Sequence, residues 1–343
     1  MIPAVPKGVM QPTYTLPDDR YAVVLNANAG RVTPRLARAL SRVVPQERLF
    51  LTESREHARD VFRSCLDQRI GTVFAGGGDG TIVETINTLR SLADNAMPLP
   101  SVGVLRLGTG NALAHWLGSG RPLRDLKRWE AGQVHRSVPI HMVEAEGTLF
   151  PFAGLGTDAA VLNDYISIKQ RAQGKWWQRF AKGISGYLLA GYTRTVPHAL
   201  KNPTQLVSVT NLGRPAFRIG PNGREIGPPI PHGAVMYEGP VSAACCATMP
   251  YYGYGMKMFP HATKRAGRVQ LRLVRMSPIQ MALKLPTVWK GGTPEGMFDF
   301  YADRVKVEFS EKMPYQLGGE AKGYRKDVVF SMAECPVTLV GQA

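Results

Sequence analysis

The stretch Thr72-Val73-Phe74-Ala75-Gly76-Gly77-Gly78-Asp79-Gly80-Thr81 decides how this chain is read. Its first four residues are a short, strand-forming apolar run. The glycines that follow let the backbone come close to a ligand with its N–H groups exposed. A helix starting there adds partial positive charge, so phosphate is the expected guest. Asp79 would repel phosphate unless it has a task of its own. It can hold Mg²⁺ through water, or it can take a proton from an attacking hydroxyl. Taken alone, the loop reads almost as well as a tight turn capped by an aspartate.

Its surroundings shift that balance. Val102 to Leu107 forms another strand, and Gly108-Thr109-Gly110-Asn111 follows it before a further helix. Tyr21 to Asn26 is a buried strand leading into Ala27-Asn28-Ala29-Gly30. The next helix carries Pro34 in its first turn, where a missing N–H costs nothing. Arg48 to Leu51 is a short strand, and Thr52 to Ser54 supply helix caps. Strand, loop and helix in this rhythm describe a doubly wound parallel sheet. Such sheets bind ligands outside the carboxyl ends of their strands, where all three loops lie.

The chain changes character near residue 146. Beyond a helical stretch at Asp158 to Tyr192, Leu206 to Val340 is a series of β-branched runs broken by Pro and Gly. An antiparallel β-sandwich fits that pattern. The expected domains are therefore residues 1–145 and 146–343, with the last strand able to return to the first domain.

Several chemistries are excluded. No GxxxxGK[ST] is present, neither glycine loop completes GxGxxG, and HRD and DFG are absent. The seven histidines form no HExxH. The four cysteines contain no CxxC pair, so neither a zinc module nor a disulfide framework is expected. Prolines and the lack of an apolar core in residues 1–20 speak against a secretory signal. The uncharged run Gly239 to Met256 holds Pro240, Pro250, Gly253 and Gly255, which suits strand and loop rather than a membrane span. The 343 residues carry 42 Lys and Arg against 26 Asp and Glu, a net charge of +16. An anionic partner is implied.

Gly77 to Thr81 (GGDGT), with Glu84 and Asn87, resembles the nucleotide-binding signature of the diacylglycerol kinase catalytic-domain family, which includes bacterial lipid kinases and the sphingosine and ceramide kinases. Phosphofructokinases and NAD kinases share GGDGT. Leu107-Gly108-Thr109-Gly110-Asn111 discriminates, because it is similar to PLGTGND of the lipid-kinase family. Further matches are Asn26, Thr52 with His57-Ala58, Ala153 to Ala159 (AGLGTDA), Tyr252 to Met256 (YGYGM) with Pro260 and Ala262, and Gly319-Glu320. They run in order over roughly residues 20 to 342.

The resemblance implies an α/β nucleotide-binding domain of the NAD kinase and diacylglycerol kinase type, followed by a mainly antiparallel β-sandwich domain. It implies that ATP, with Mg²⁺, gives its γ-phosphoryl group to a lipid hydroxyl in a cleft between the two domains. Asn26, Thr52, Gly77, Gly78, Gly80, Thr81, Gly108, Thr109, Gly110 and Asn111 would cradle the nucleotide. Asp79 would be the base or metal partner, Glu320 would reach the same cleft, and Asp158 would contact substrate. The chain departs from the family at Arg106 and Ala112, which stand for Pro and Asp. Pro139, Ala266 and Gly318 replace acids of an accessory Mg²⁺ site, leaving that site short of ligands.

Residues Asn163 to Asn202 hold seven Lys and Arg against one acid, with Trp176, Trp177 and Phe180 among them. Aromatics flanked by cations suit an anionic membrane surface. The protein is therefore expected in the cytoplasm, peripherally attached to a membrane, with a lipid substrate and no nucleic-acid partner. A small-molecule kinase of the NAD kinase or phosphofructokinase type is the competing enzyme. A catalytically impaired, acidic-lipid-binding relative and a basic nucleic-acid binder also compete. No RNA-binding signature accompanies the charge.

Overall fold

The computed structural model describes residues 13–18, 20–93, 98–157, 159–160 and 204–342. Asp158 and the basic, tryptophan-containing segment 163–202 lie outside them. The chain divides into two compact units.

One unit comprises residues 10–141, 253–255 and 334–343. Its strands are β1 (Thr13–Thr15), β2 (Tyr21–Asn26), β3 (Leu49–Thr52), β4 (Thr72–Gly77), β5 (Ser101–Arg106) and β6 (His135–Ile140), with a last strand, Val337–Gln342. They lie in the order β1, β6, last strand, β5, β4, β2, β3. The run from β3 to the last strand is parallel, and β6 and β1 add antiparallel pairings at the other side. β4 is buried along its whole length and β2 along all but its final residue. This is why both read as apolar runs rather than alternating ones.

The helices begin where their caps stand. The Thr33 side chain accepts the Leu36 N–H ahead of α1 (Pro34–Leu40), and Ser54 accepts that of His57 ahead of α2 (Arg55–Asp67). α3 (Asp79–Leu92) starts inside the glycine loop, α4 (Ala112–Trp116) follows the second loop, and α5 (Pro122–Glu130) comes next. Tyr21, Phe74 and Trp129 meet edge to face in the core, with ring centroids 4.8–6.1 Å apart. Leu25, Leu40, Leu105, Leu126 and Val340 pack with them.

The other unit comprises residues 142–252 and 256–333, and it is the antiparallel sheet domain expected from the sequence. Hydrogen bonds make its ladder continuous. The fourteen-residue strand Arg304–Leu317 pairs with Gln205–Asn211 through its first half and with Phe152–Gly156 through its last three residues. Its pairing with Glu320–Met332 shifts register twice, which lets so long a strand change direction. Gly318 (φ 58°) and Gly319 (φ 86°) join the two strands. Positive φ at both central residues marks the tight hairpin turn that matches strand twist. Such a turn accepts Asp-Gly as well as Gly-Gly, so its geometry does not account for the glycine at position 318, where the resembling family has an acid.

Arg272 and Asp299 face each other on neighbouring strands with both side chains fully buried. The guanidinium donates from Nε and Nη2 to the two carboxylate oxygens, each at 2.7 Å. Nη1 donates to the Met258 carbonyl at 2.6 Å, and Gln270 donates to Asp299 at 2.9 Å. His261 is buried nearby, its pKa pushed down to about 4 by burial and then by Lys264. It is neutral at pH 7, as suits a structural histidine. Asp299→Ala would strand a buried guanidinium, so it is expected to cost about 3–5 kcal/mol in urea denaturation. An unchanged midpoint would contradict this account of the core.

Candidate phosphate-binding site

Because β3, β2, β4 and β5 are parallel neighbours, their carboxyl ends share one edge. Asn26 stands opposite Thr52 there, and Gly77 opposite Arg106. The edge therefore gathers Asn26, Thr52, Gly77, Gly78, Asp79, Gly80, Thr81, Gly108, Thr109, Gly110 and Asn111 within one unit. Glu320 belongs to the other unit. It is exposed at the start of its strand, beside the hairpin glycines, with its carboxylate 3.3 Å from Lys322 Nζ.

The polar side chains at the edge first hold the loops to one another. Thr52 is buried and donates to the Leu25 carbonyl at 3.2 Å. Ala27 N–H donates to the Thr52 carbonyl at 2.9 Å. Asn26 accepts the Asn28 N–H through Oδ1 and donates through Nδ2 to Thr81 Oγ1 at 3.3 Å. The Asn111 amide turns back on its own loop, accepting from Gly108 N at 2.8 Å and donating to Gly108 O at 2.7 Å. Asn111 itself is left-handed (φ 49°), a conformation asparagine tolerates better than most residues. Thr109 remains exposed at the loop tip.

Asp79 joins the two glycine loops. Its Oδ2 accepts the N–H of Ala112 and its Oδ1 that of Leu113, each at 3.0 Å. These are first-turn donors of α4, which have no partner within the helix. The carboxylate thus caps a helix that begins 33 residues later in the chain. Desolvation raises the Asp79 pKa above the usual carboxylate range, while the Ala112 and Leu113 N–H groups pull it back. Each oxygen keeps a lone pair for a further partner.

Between the loops, backbone meets backbone. A Cβ on Gly108 would lie 2.3 Å from the Gly78 Cα, and one on Gly110 would lie 3.4 Å from the Gly253 Cα. Gly253 to Gly255 belong to this unit although the segments flanking them do not. Tyr254 N–H donates to the Gly110 carbonyl at 2.9 Å. In the sequence YGYGM matches a family motif, but only its glycine pair hints at a place beside these loops.

The result is a polar edge rich in backbone donors and holding one acid. With the first turn of α3 it is suited to an anion, and the phosphate of a nucleotide fits that chemistry. Among the described residues no three His, Cys, Asp or Glu converge as a metal cluster. A phosphate-bound Mg²⁺ needs only one or two protein carboxylates, so the lone pairs left on Asp79 fit that ion.

The unit is a parallel α/β domain with glycine loops at its strand ends, and residues 20–144 match the family model of the "Diacylglycerol kinase catalytic domain". The resemblance read from the sequence is thereby upheld, and the chain is related to diacylglycerol and lipid kinases. It is 26% identical to "Diacylglycerol kinase" of Bacillus subtilis (strain 168) over 261 residues, covering 73% of this chain and 71% of that one. It is 23% identical to a "Probable lipid kinase YegS-like" protein of Yersinia enterocolitica, covering 78% of each. A 66-residue stretch is 46% identical to "Eye-specific diacylglycerol kinase" of Drosophila melanogaster, 19% of this chain but only 4% of that protein. A solved structure of a putative diacylglycerol kinase from Bacillus anthracis str. Sterne superposes over 94% of this chain and 95% of its own, with a TM-score of 0.64 at 18% identity. That likeness shows the shared fold.

The two loop glycines should respond differently to a methyl group. Gly108→Ala drives a Cβ into the Gly78 backbone, whereas a Cβ on Gly78 would lie 3.3 Å from the Gly108 Cα. Gly108→Ala should therefore lower the thermal midpoint by several degrees, as a loss of about 1–3 kcal/mol would. Gly78→Ala should lower it less. Equal midpoints for both variants and the wild type would mean that the loops are not in contact.

Proposed function

We propose that the protein is an ATP-dependent lipid kinase that transfers the γ-phosphoryl group to a lipid hydroxyl. The observation that carries this reading is the tie from Asp79 to the first turn of α4. It fixes two glycine loops side by side at adjacent strand ends. Backbone N–H groups of Gly78, Gly80, Thr109 and Gly110 would face the phosphates, while the Gly108 N–H is held by Asn111, and exposed Thr109 and Arg106 would border them. The kinase names of the bacterial relatives point to the acceptor class.

In this reading the acceptor oxygen bonds to the γ-phosphorus as the bond to the β,γ-bridging oxygen breaks. Asp79 takes the hydroxyl proton, and ADP leaves with the bridging oxygen. Little covalent chemistry is asked of the protein, because positioning and charge neutralisation supply most of the rate. Mg²⁺, held mainly by the nucleotide phosphates, would offset their negative charge. The raised Asp79 pKa helps a base at neutral pH, since its proton affinity lies closer to the working range.

The test is transfer of radiolabelled phosphate from ATP to a panel of lipids in mixed micelles. Wild type should label a lipid alcohol, and Asp79→Asn should lose about 10²–10⁴ in rate. The variant should also lose stability, because its amide group must face an α4 N–H that the carboxylate accepted. The acid limb of the wild-type rate should lie above the ordinary aspartate pKa of about 3.9. Activity should fall as pH falls through it, because only the ionised base accepts a proton. Wild-type turnover in Asp79→Asn, or labelling of soluble nucleotides or sugars but of no lipid, would overturn the reading.

A further inference from the structure

In the antiparallel unit, the helix Pro278–Trp289 is apolar on two opposite sides. Its start is well specified: Ser277 Oγ accepts the Gln280 N–H at 3.3 Å, and Gln280 Oε1 accepts the Ser277 N–H at 2.9 Å. This is a reciprocal cap. Val288 is buried, and Met281 and Leu285 are half-buried on the same side. That inner face is ordinary core packing. The outer face is not. Ile279 is 53% exposed and Leu283 77%, and Pro286 is exposed as well. At 100° per residue, positions 279, 283 and 286 fall within about 60° of one another, in one stripe along the helix.

Solvated helix faces normally carry charge, so an apolar stripe of this exposure calls for a partner. The surrounding charge selects it. Residues 275–292 include Arg275, Lys284 and Lys290 and no acid. Lys284 Nζ donates to the Glu295 backbone carbonyl at 3.0 Å, a contact that leaves its charge in place. Lys257 joins this end of the helix, its N–H donating to the Trp289 carbonyl at 3.0 Å. Glu295, exposed just beyond, is the nearest acid along the chain. A second copy of the chain would bring like charges together at this surface. An anionic bilayer would accept the apolar stripe and the flanking cations at once.

We propose that the outer face of the helix Pro278–Trp289 docks on an anionic lipid bilayer, with Ile279 and Leu283 entering the headgroup layer. The proposal rests on the lipid-kinase reading for its purpose, while docking itself is measured without phosphoryl transfer. The residues it names are other than those of the tryptophan-containing segment singled out in the sequence.

The experiment is co-sedimentation of the full chain with vesicles of phosphatidylcholine alone or mixed with phosphatidylglycerol, in the absence of ATP. Wild type should bind the anionic vesicles, and more weakly as salt rises. The double variant Ile279→Glu and Leu283→Glu should bind about a hundredfold more weakly, from lost insertion and added repulsion. Its thermal midpoint and its transfer to a short-chain soluble lipid should match wild type. In a Cys335→Ser background, a polarity-sensitive fluorophore at Leu283→Cys should shift to the blue on anionic vesicles. Undiminished binding of the double variant, or a fluorophore unmoved by vesicles, would overturn the proposal. So would a midpoint lowered in the double variant, which would show the stripe to be covered within the chain. A wild-type dimer that the double variant abolishes, without vesicle binding, would overturn it too and assign the face to a second copy. Failure of lipid labelling together with intact docking would refute the kinase reading alone.

Discussion

One carboxylate ties together the two glycine loops at the strand ends. Asp79 sits at the start of its own helix, yet its oxygens are taken up by the first turn of another. A short helix such as α4 has few means of its own to hold its terminal N–H groups. The carboxylate satisfies two of them and pins α4 to the GGDGT loop. With that tie in place, Gly108 can rest against Gly78, Asn111 can brace its own loop, and Tyr254 can reach the Gly110 carbonyl. Backbone pairing already brings the strand ends together, with the Leu107 N–H donating to the Gly77 carbonyl at 3.2 Å, and the carboxylate adds a side-chain tie between the loops that follow. Desolvation, which raises the carboxylate's pKa, follows from the same enclosure that makes the tie strong.

The base role proposed for Asp79 would give the same side chain a second task beside the tether. A base must keep a lone pair toward the acceptor hydroxyl, and a tether must keep its oxygens toward backbone donors. A carboxylate has lone pairs enough for both, whereas an amide does not. Glutamate would carry the same charge on a longer stem and lose the register with α4.

Much of this is legible in the sequence, for definable reasons. Strands buried on both faces appear as apolar runs, so Tyr21–Asn26 and Thr72–Gly77 stand out at once. Ser54 marks its helix start because it is a local cap whose partner is three residues away. The glycine loops are visible because few other residues allow such close backbone approach. The Asp79 tie is not legible, since its partners lie 33 and 34 residues away and are backbone groups, which any sequence supplies. The inward turn of the Asn111 amide is hidden for a similar reason. An asparagine aimed at a ligand and one folded onto its own loop are spelled alike. The capture of Gly253–Gly255 by the parallel α/β unit depends on a long-range hydrogen bond and a glycine contact, neither of which has a periodic signature. The outer stripe of Pro278–Trp289 is equally silent, because an apolar residue in a helix reads as core until its exposure is known.

If the paired loops cradle nucleotide phosphate as proposed, calorimetric titration will register it in the order of affinities. A non-hydrolysable ATP analogue, AMP and adenosine would be compared on the full chain with Mg²⁺ present. Affinity should be carried by the phosphates, falling at least about tenfold from the triphosphate to AMP and again to adenosine, or about 1.4 kcal/mol per step. Equal affinity for the triphosphate and adenosine, or no binding of the triphosphate, would contradict it.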